Sequence, residues 1–192
     1  MSSIPAGTIL YHGSHVYVRF PKVQKPKPGV TTDFGNGVYF TLTFRRAREW
    51  AKKKANQNHK TYGYITSFRL KQDIIPSAKV KIFDGYSEEW LDFVMNCRKG
   101  KDTSSYDIVV GNVADARTYD LIIAYEEGLF YKDRTHGVAV HFGKLNAKEK
   151  KEQLLSLISG FDEPFLQVCF RFKDDKLFKD YLEYDGVKTN AN

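Results

Sequence analysis

Hydrophobic and polar positions change period several times along the chain, and each change predicts an element. The stretch TILYH alternates and is rich in β-formers, which predicts a strand over about 8–12 with a turn at Gly13-Ser14. GVYFT predicts a short strand or the first turn of a helix. LTFRRAREWAKKKANQ then switches to helical spacing. Phe44, Ala47, Ala51 and Ala55 form one stripe with Trp50 on its flank, Thr43 is placed to cap, and lysines gather in the last turns, where the helix dipole favours cations. YGYITSFRL alternates as a strand, and AKVKIF predicts a second, shorter one.

SEEWLDFVMNCRKG reads as a helix with Ser87 as cap and Glu88 and Glu89 in the first turn. Its apolar face is Trp90, Phe93, Val94 and Cys97, and Arg98, Lys99 and Gly100 mark its end. YDIVVG predicts a strand and VADARTYDLIIAY a helix. NAKEKKEQLLSLISG predicts a helix capped by Asn146 and stopped by Gly160. FLQVCFRF predicts a strand, and DDKLFKDYLEY a short terminal helix or turn. The mixed order is that of an α+β protein, not regular βαβ winding.

One stretch fits no period. Between Pro21 and Gly37 lie three prolines and three glycines, too many residues for a tight turn. Loops of this length are functional or mobile, and this one runs directly into Tyr39. The expectation is a mobile loop covering a site there.

Composition narrows the class. The chain has 192 residues, 42% hydrophobic and 15% aromatic, enough for one domain with its own core. A formal net charge of +7 favours acidic partners such as nucleic acid, phosphorylated ligands or anionic surfaces. Cys97 and Cys169 sit far apart in apolar surroundings and are expected to be buried free thiols in a reducing compartment. MSSIPAGTILY has no basic segment followed by an apolar run, so no signal peptide is expected. No stretch approaches the roughly 18 apolar residues of a membrane span. The expected place is the cytoplasm where the protein is made, with delivery by a signal-independent route left open.

Three segments carry candidate chemistry: Tyr11-His12-Gly13-Ser14, Asp33-Phe34-Gly35-Asn36-Gly37-Val38-Tyr39-Phe40-Thr41, and Gln167-Val168-Cys169-Phe170, where an amide opens an apolar strand. The Gly-x-Gly of the second lacks the third glycine of a dinucleotide-binding fingerprint. For Asp33, an Asx hydrogen bond within its own turn is the preferred reading. Asn112 and Asp115 read first as a helix cap and a first-turn acid, and alternatively as groups facing a cleft. His15 is expected to be exposed, and RRAREWAKKK is read mainly as a solvated helix face. His59, His136 and His141 share no ligand spacing, so no metal site is expected.

A histidine early, a tyrosine next and a polar residue late in an α+β domain resembles the ADP-ribosyltransferase superfamily, in its diphtheria-toxin and poly(ADP-ribose) polymerase branch. The chain is more closely similar to the bacterial family DUF3990 within that clan. YHGS, DFGNGVYFT, EWLDFVMNCR, YDIVVGNVADAR and LQVCF carry that likeness in order, over about residues 8–172. The resemblance implies one ADP-ribosyltransferase-like domain, a split β-sheet core over about 8–172 with a C-terminal appendage at 173–192. It implies NAD as substrate, transfer of ADP-ribose to an unidentified protein or nucleic-acid acceptor, and a toxin or effector role. By resemblance the catalytic residues are His12, Tyr39 and Gln167, and the NAD contacts are His12, Gly13, Ser14, Tyr39, Phe40 and Thr41.

In that pattern His12 would hold a ribose hydroxyl, Gly13 would pair with the nicotinamide amide, and Tyr39 would stack on the nicotinamide ring. Gln167 departs from the usual glutamate. An amide can hydrogen-bond the ribose but cannot act as a general base. That departure keeps a non-catalytic nucleotide- or protein-binding domain open as the alternative. Charge alone supports a third, a nucleic-acid-binding module. The acceptor and the oligomeric state are not set by the sequence.

Overall fold

In the computed structural model, which describes residues 2–25, 29, 31–114, 116–133, 137–160 and 165–191, the alternating and helical segments take up their expected forms. The elements are β1 (Ile9–Ser14), β2 (Val38–Thr41), α1 (Phe44–Gln57), β3 (Tyr62–Leu70), β4 (Val80–Ile82), α2 (Glu88–Arg98), β5 (Ile108–Asn112) and α3 (Ala116–Glu127), then β6 (Phe130–Asp133), β7 (Val138–His141), α4 (Ala147–Gly160), β8 (Leu166–Phe170), α5 (Leu177–Tyr181) and β9 (Leu182–Ala191). The fold is mixed α+β. Seven strands form one sheet in the order β4-β5-β8-β2-β1-β3-β9, and β6 and β7 form a separate hairpin. Only β4 and β5 run parallel; every other neighbouring pair in the sheet is antiparallel.

The strand period of two sorts side chains onto the two faces. Leu10, Phe40, Phe68, Val110, Val168 and Phe170 pack on one face, closed by Phe178 of α5 and Leu182. On the other, Val109 and Cys169 meet α2, α3 and α4 through Trp90, Val94, Leu121, Leu154 and Ile158. Trp90 is fully buried and its indole N–H donates to the Asn112 carbonyl at 3.0 Å. Burying one such side chain contributes roughly 1.5–3 kcal/mol.

Helix α1 packs on β1 and β3 through its small residues, Ala47, Ala51 and Ala55. It rests on two glycines. A Cβ at Gly13 would lie 2.2 Å from the Ala47 carbonyl oxygen, and one at Gly63 would lie 2.5 Å from that of Ala51. The alanine stripe and the glycine pair are therefore one feature, a helix set unusually close to a sheet. Phe44 and Trp50 lie outside it and are exposed.

Ser87 caps α2, accepting from the Trp90 amide at 3.1 Å. Asn146 and Glu149 form a reciprocal capping box at the start of α4, at 2.9 and 3.0 Å. Several expectations are corrected. Gly13-Ser14 is not a turn: β1 runs through both residues, which pair with Ile65 and Tyr64 of β3. Thr43 precedes α1 but makes no side-chain cap. Asn112 is not a cap either; it is the last residue of β5, four positions before α3 begins. Within Pro21–Gly37, the described residues include firmly packed ones. Asp33 and Phe34 are buried, Phe34 against Phe83 and Phe93, and Asn36 donates to the Gln24 carbonyl. Asp33 and Phe34 are core, not part of a lid.

The C-terminal residues complete the sheet. β9 pairs with β3 from Leu182 to Ala191, with one bulge at Ser67/Phe68. Among the described residues no helix is long and apolar enough to cross a membrane.

Candidate functional site

The sheet is weakest between β1 and β2, which pair at one position only, Tyr11 opposite Thr41. The Thr8 carbonyl accepts from the Leu70 amide, so it faces β3. Alternation along an antiparallel strand then turns the peptide groups of Leu10, His12 and Ser14 toward β3, and those of Tyr11 and Gly13 toward β2. Tyr11 finds its partner. Gly13 does not continue the ladder: its partner in register would be Tyr39, and the Tyr39 carbonyl instead takes the His12 ring, through Nδ1, at 2.8 Å. The sheet splits here, with the Gly13 peptide turned toward the gap.

A carbonyl only accepts, so Nδ1 of His12 carries the proton. Burial lowers the His12 pKa from its usual 6.5, opposed by the hydrogen bond to Tyr39. The ring is therefore neutral at pH 7, and its Nε2 is left as an acceptor.

Tyr39 points to the α2–α4 face and ties down the turn before it. Its hydroxyl donates to the Gly35 carbonyl at 2.7 Å and accepts from the Phe34 amide at 3.0 Å. Burial drives its pKa well above 10, helped by the neighbouring Cys169 thiol. Gly35 is needed in this turn because its φ is +75°.

Gln167 lies two residues from Cys169, the cross-strand partner of Tyr39, and so shares the Tyr39 face. It is buried, and its Nε2 donates to Oδ2 of Asp33 at 3.0 Å. Asp33 is the hub of this corner. Oδ2 also accepts from the Ala114 amide at 2.9 Å, and Oδ1 accepts from Nε of Arg98 at 2.9 Å and from its Nη2. Arg98 also donates to the Ala114 carbonyl and stacks 4.2 Å over the Tyr119 ring. The expected Asx bond does not form, because the Gly35 amide goes to the Thr32 carbonyl and the carboxylate faces inward.

The profile of one family matches residues 8–173, from the edge of β1 to just beyond β8, and so covers every residue of this corner. The chain belongs to DUF3990. That family is described as a protein of unknown function. No curated protein matches the chain.

In this DUF3990 chain the expected site residues divide into groups. His12 and Gly13 meet at the split, and Tyr39 and Gln167 lie across it on β2 and β8. His12 projects from the opposite face, its ring 5.6 Å from that of Phe40. Thr41 stands opposite both Tyr11 and Gln167, and is half-buried. Ser14 ends β1, its hydroxyl accepting from the Val16 amide. The Phe40 side chain does not join them: it is 2% exposed and packs edge-on against Phe68 and Phe170. His15 is half-buried rather than exposed. Asp115 and His136 lie outside the described residues. Among the described residues no cluster of three His, Cys, Asp or Glu could hold a metal.

Sequence reasoning passed over Arg98 and undervalued Asp33. Arg98 lies four residues after Val94, on the buried face of α2, where a charge needs a partner; that spacing was the available signal. A cavity of about 380 Å³ lies elsewhere, on the Phe68 face, lined by Arg19, Phe20, Lys22, Phe68, Phe178 and Tyr184. It is aromatic and basic, and holds none of the His12, Tyr39 or Gln167 groups.

Proposed function

We propose that this protein is an NAD-dependent ADP-ribosyltransferase on a fold of the ADP-ribosyltransferase kind. The observation that carries the reading is the break in the β1–β2 ladder at Gly13. A peptide group turned into a gap matches a primary carboxamide, donor to acceptor and acceptor to donor, which is the polar group of nicotinamide. Two acceptors flank the split from opposite faces of the sheet, Nε2 of His12 next to Gly13 on β1 and the Gln167 carbonyl on β8, and each suits a hydroxyl donor such as those of a ribose. The order of the motifs in the sequence points the same way.

In the reaction the bond between the ribose C1 and the nicotinamide nitrogen breaks, and its electron pair leaves with neutral nicotinamide. The acceptor nucleophile forms the new bond to C1 and gives up a proton if it was neutral. Positive charge develops on the ribose as in glycoside cleavage. A hydrogen bond from the 2-hydroxyl to Gln167 strengthens as that charge grows, and the Tyr39 ring holds the leaving group. Gln167 cannot take the acceptor's proton, and Asp33 is occupied by Arg98, Ala114 and Gln167. Neither of these two supplies a base, so in this reading the acceptor is itself basic or passes its proton to solvent water.

The test is nicotinamide release from NAD. Wild-type protein should release it, and Gln167→Ala should lower turnover roughly 100- to 1000-fold, with a smaller effect on NAD affinity. Gln167, an amide where the resembled pattern has a glutamate, favours a second reading, an NAD-binding domain without catalysis. That reading is met by saturable NAD binding with no nicotinamide released.

A further inference from the structure

We infer that Asp33 is the positioning residue of this site, holding the Gln167 amide so that only its carbonyl is presented to a ligand and the site accepts hydroxyl donors. The inference rests on the NAD reading for the identity of the ligand, and on geometry for the clamp. A free glutamine side chain can rotate its amide and offer either donor or acceptor. Here one orientation is enforced. An ionised carboxylate only accepts, so the group 3.0 Å from Asp33 must be the NH₂, and the carbonyl is left on the other side.

Asp33 cannot yield, because its own position is fixed from three directions. Arg98 of α2 takes Oδ1 with two nitrogens, the Ala114 amide after β5 takes Oδ2, and Tyr39 pins the following residues through Phe34 and Gly35. Arg98 is itself held by the Ala114 carbonyl and the Tyr119 ring. Four separate segments thus converge to set the direction of one amide. Buried networks of this kind rigidify when every member is satisfied. The consequence is selectivity: a ribose hydroxyl finds an acceptor, while a ligand lacking it leaves the Gln167 carbonyl unpaired.

The experiment measures affinity for NAD and for its analogue lacking the 2-hydroxyl on the nicotinamide ribose, in wild type, D33N, Q167E and D33N/Q167E. Unfolding midpoints are measured for all four. Wild type should prefer NAD about tenfold, the worth of one good hydrogen bond. D33N can face the Gln167 amide either way round, so the preference should shrink to about twofold. Q167E sets two carboxylates side by side and should lose NAD affinity at least tenfold. D33N/Q167E restores one donor against one carboxylate, though that NH₂ also meets the Ala114 amide that Oδ2 accepts in wild type, and it should bind NAD at least about threefold better than Q167E without reaching wild type.

A merely structural Asp33 would weaken both ligands in proportion and leave their ratio intact. An unchanged ratio in D33N, or a double variant no better than Q167E, overturns the inference. If no variant binds NAD, wild type included, the NAD reading fails, and the midpoints still judge the clamp. D33N/Q167E unfolding no later than Q167E would then overturn it.

Discussion

Gly13→Ala puts the packing of α1 and the chemistry of the gap on the same residue and separates them. The new Cβ would stand 2.2 Å from the Ala47 carbonyl oxygen and 2.9 Å from the Ala51 amide nitrogen, where ordinary contact begins near 3.4 Å. Both obstacles are backbone atoms of one helix, so no side-chain rotation relieves them. Either α1 moves out by more than 1 Å or β1 bends. Overpacking a core with side chains that can adjust costs 1–3 kcal/mol, and with rigid neighbours the upper end applies, about 3 kcal/mol. For a chain of this size that lowers Tm by about 6–12 °C. Gly63→Ala meets the same helix at Ala51 and should cost a similar amount, and the pair should cost less than the sum because one displacement of α1 relieves both. Gly160→Ala, with nothing within 4 Å of the added carbon, is the control and should stay within about 0.5 kcal/mol of wild type. Thermal unfolding by circular dichroism reads all four. A Gly13→Ala protein melting within 1 °C of wild type would refute the packing argument, and with it the claim that Gly13 is required before any ligand arrives.

Burial lowers the His12 pKa below 6.5, so the unfolded chain binds more protons than the folded one as pH falls through 6.5. The His12 contribution to stability should be complete above about pH 6.5, decline as the pH drops toward the folded pKa, and level off below it; NAD affinity should hold through pH 7–8 and fall with a midpoint under 6.5, and a midpoint above 6.5 would contradict the neutral acceptor. Burial pushes the thiols of Cys97 and Cys169 up to about 12, so neither should react with a thiol reagent in native protein at pH 7.5. Their labelling should follow unfolding in urea, and labelling at the rate of a free exposed cysteine would count against their burial. Ser87→Ala removes the bond to the Trp90 amide and should destabilise by about 1 kcal/mol in urea titration.

Local chemistry was legible in part: the caps at Thr43 and Asn112 do not form, but two others do. Ser87 and Asn146 cap as read, because a cap reaches only three residues along the chain. FLQVCFRF forms a strand as read, and its period of two divides Cys169 from Val168 and Phe170 between the two cores. What was missed depends on residues far apart in the chain. Gly13 looked like a turn because nothing local shows that α1 will press on it from Ala47 and Ala51. Asp33 looked like a turn anchor because its partners lie 65, 81 and 134 residues away. β9 went unassigned because an edge strand with polar residues alternates weakly, and its strand character comes from pairing with β3. At the candidate site the motifs named His12, Gly13, Tyr39 and Gln167. The split between β1 and β2, and the carboxylate behind Gln167, became visible only in three dimensions.

In the proposed function the gap at Gly13 receives the nicotinamide carboxamide. Titrating ¹⁵N-labelled protein with NAD, and following the backbone amide of Gly13 with the side-chain NH₂ of Gln167, tests it most directly. The account predicts a saturable downfield shift of the Gly13 amide as it gains a partner. The Gln167 NH₂ should move little, because it is already bound to Asp33 and the ligand meets the carbonyl instead. Shifts confined to residues 19–22 and 176–184, around the aromatic and basic cavity beside Phe68, would place the ligand elsewhere and contradict this reading.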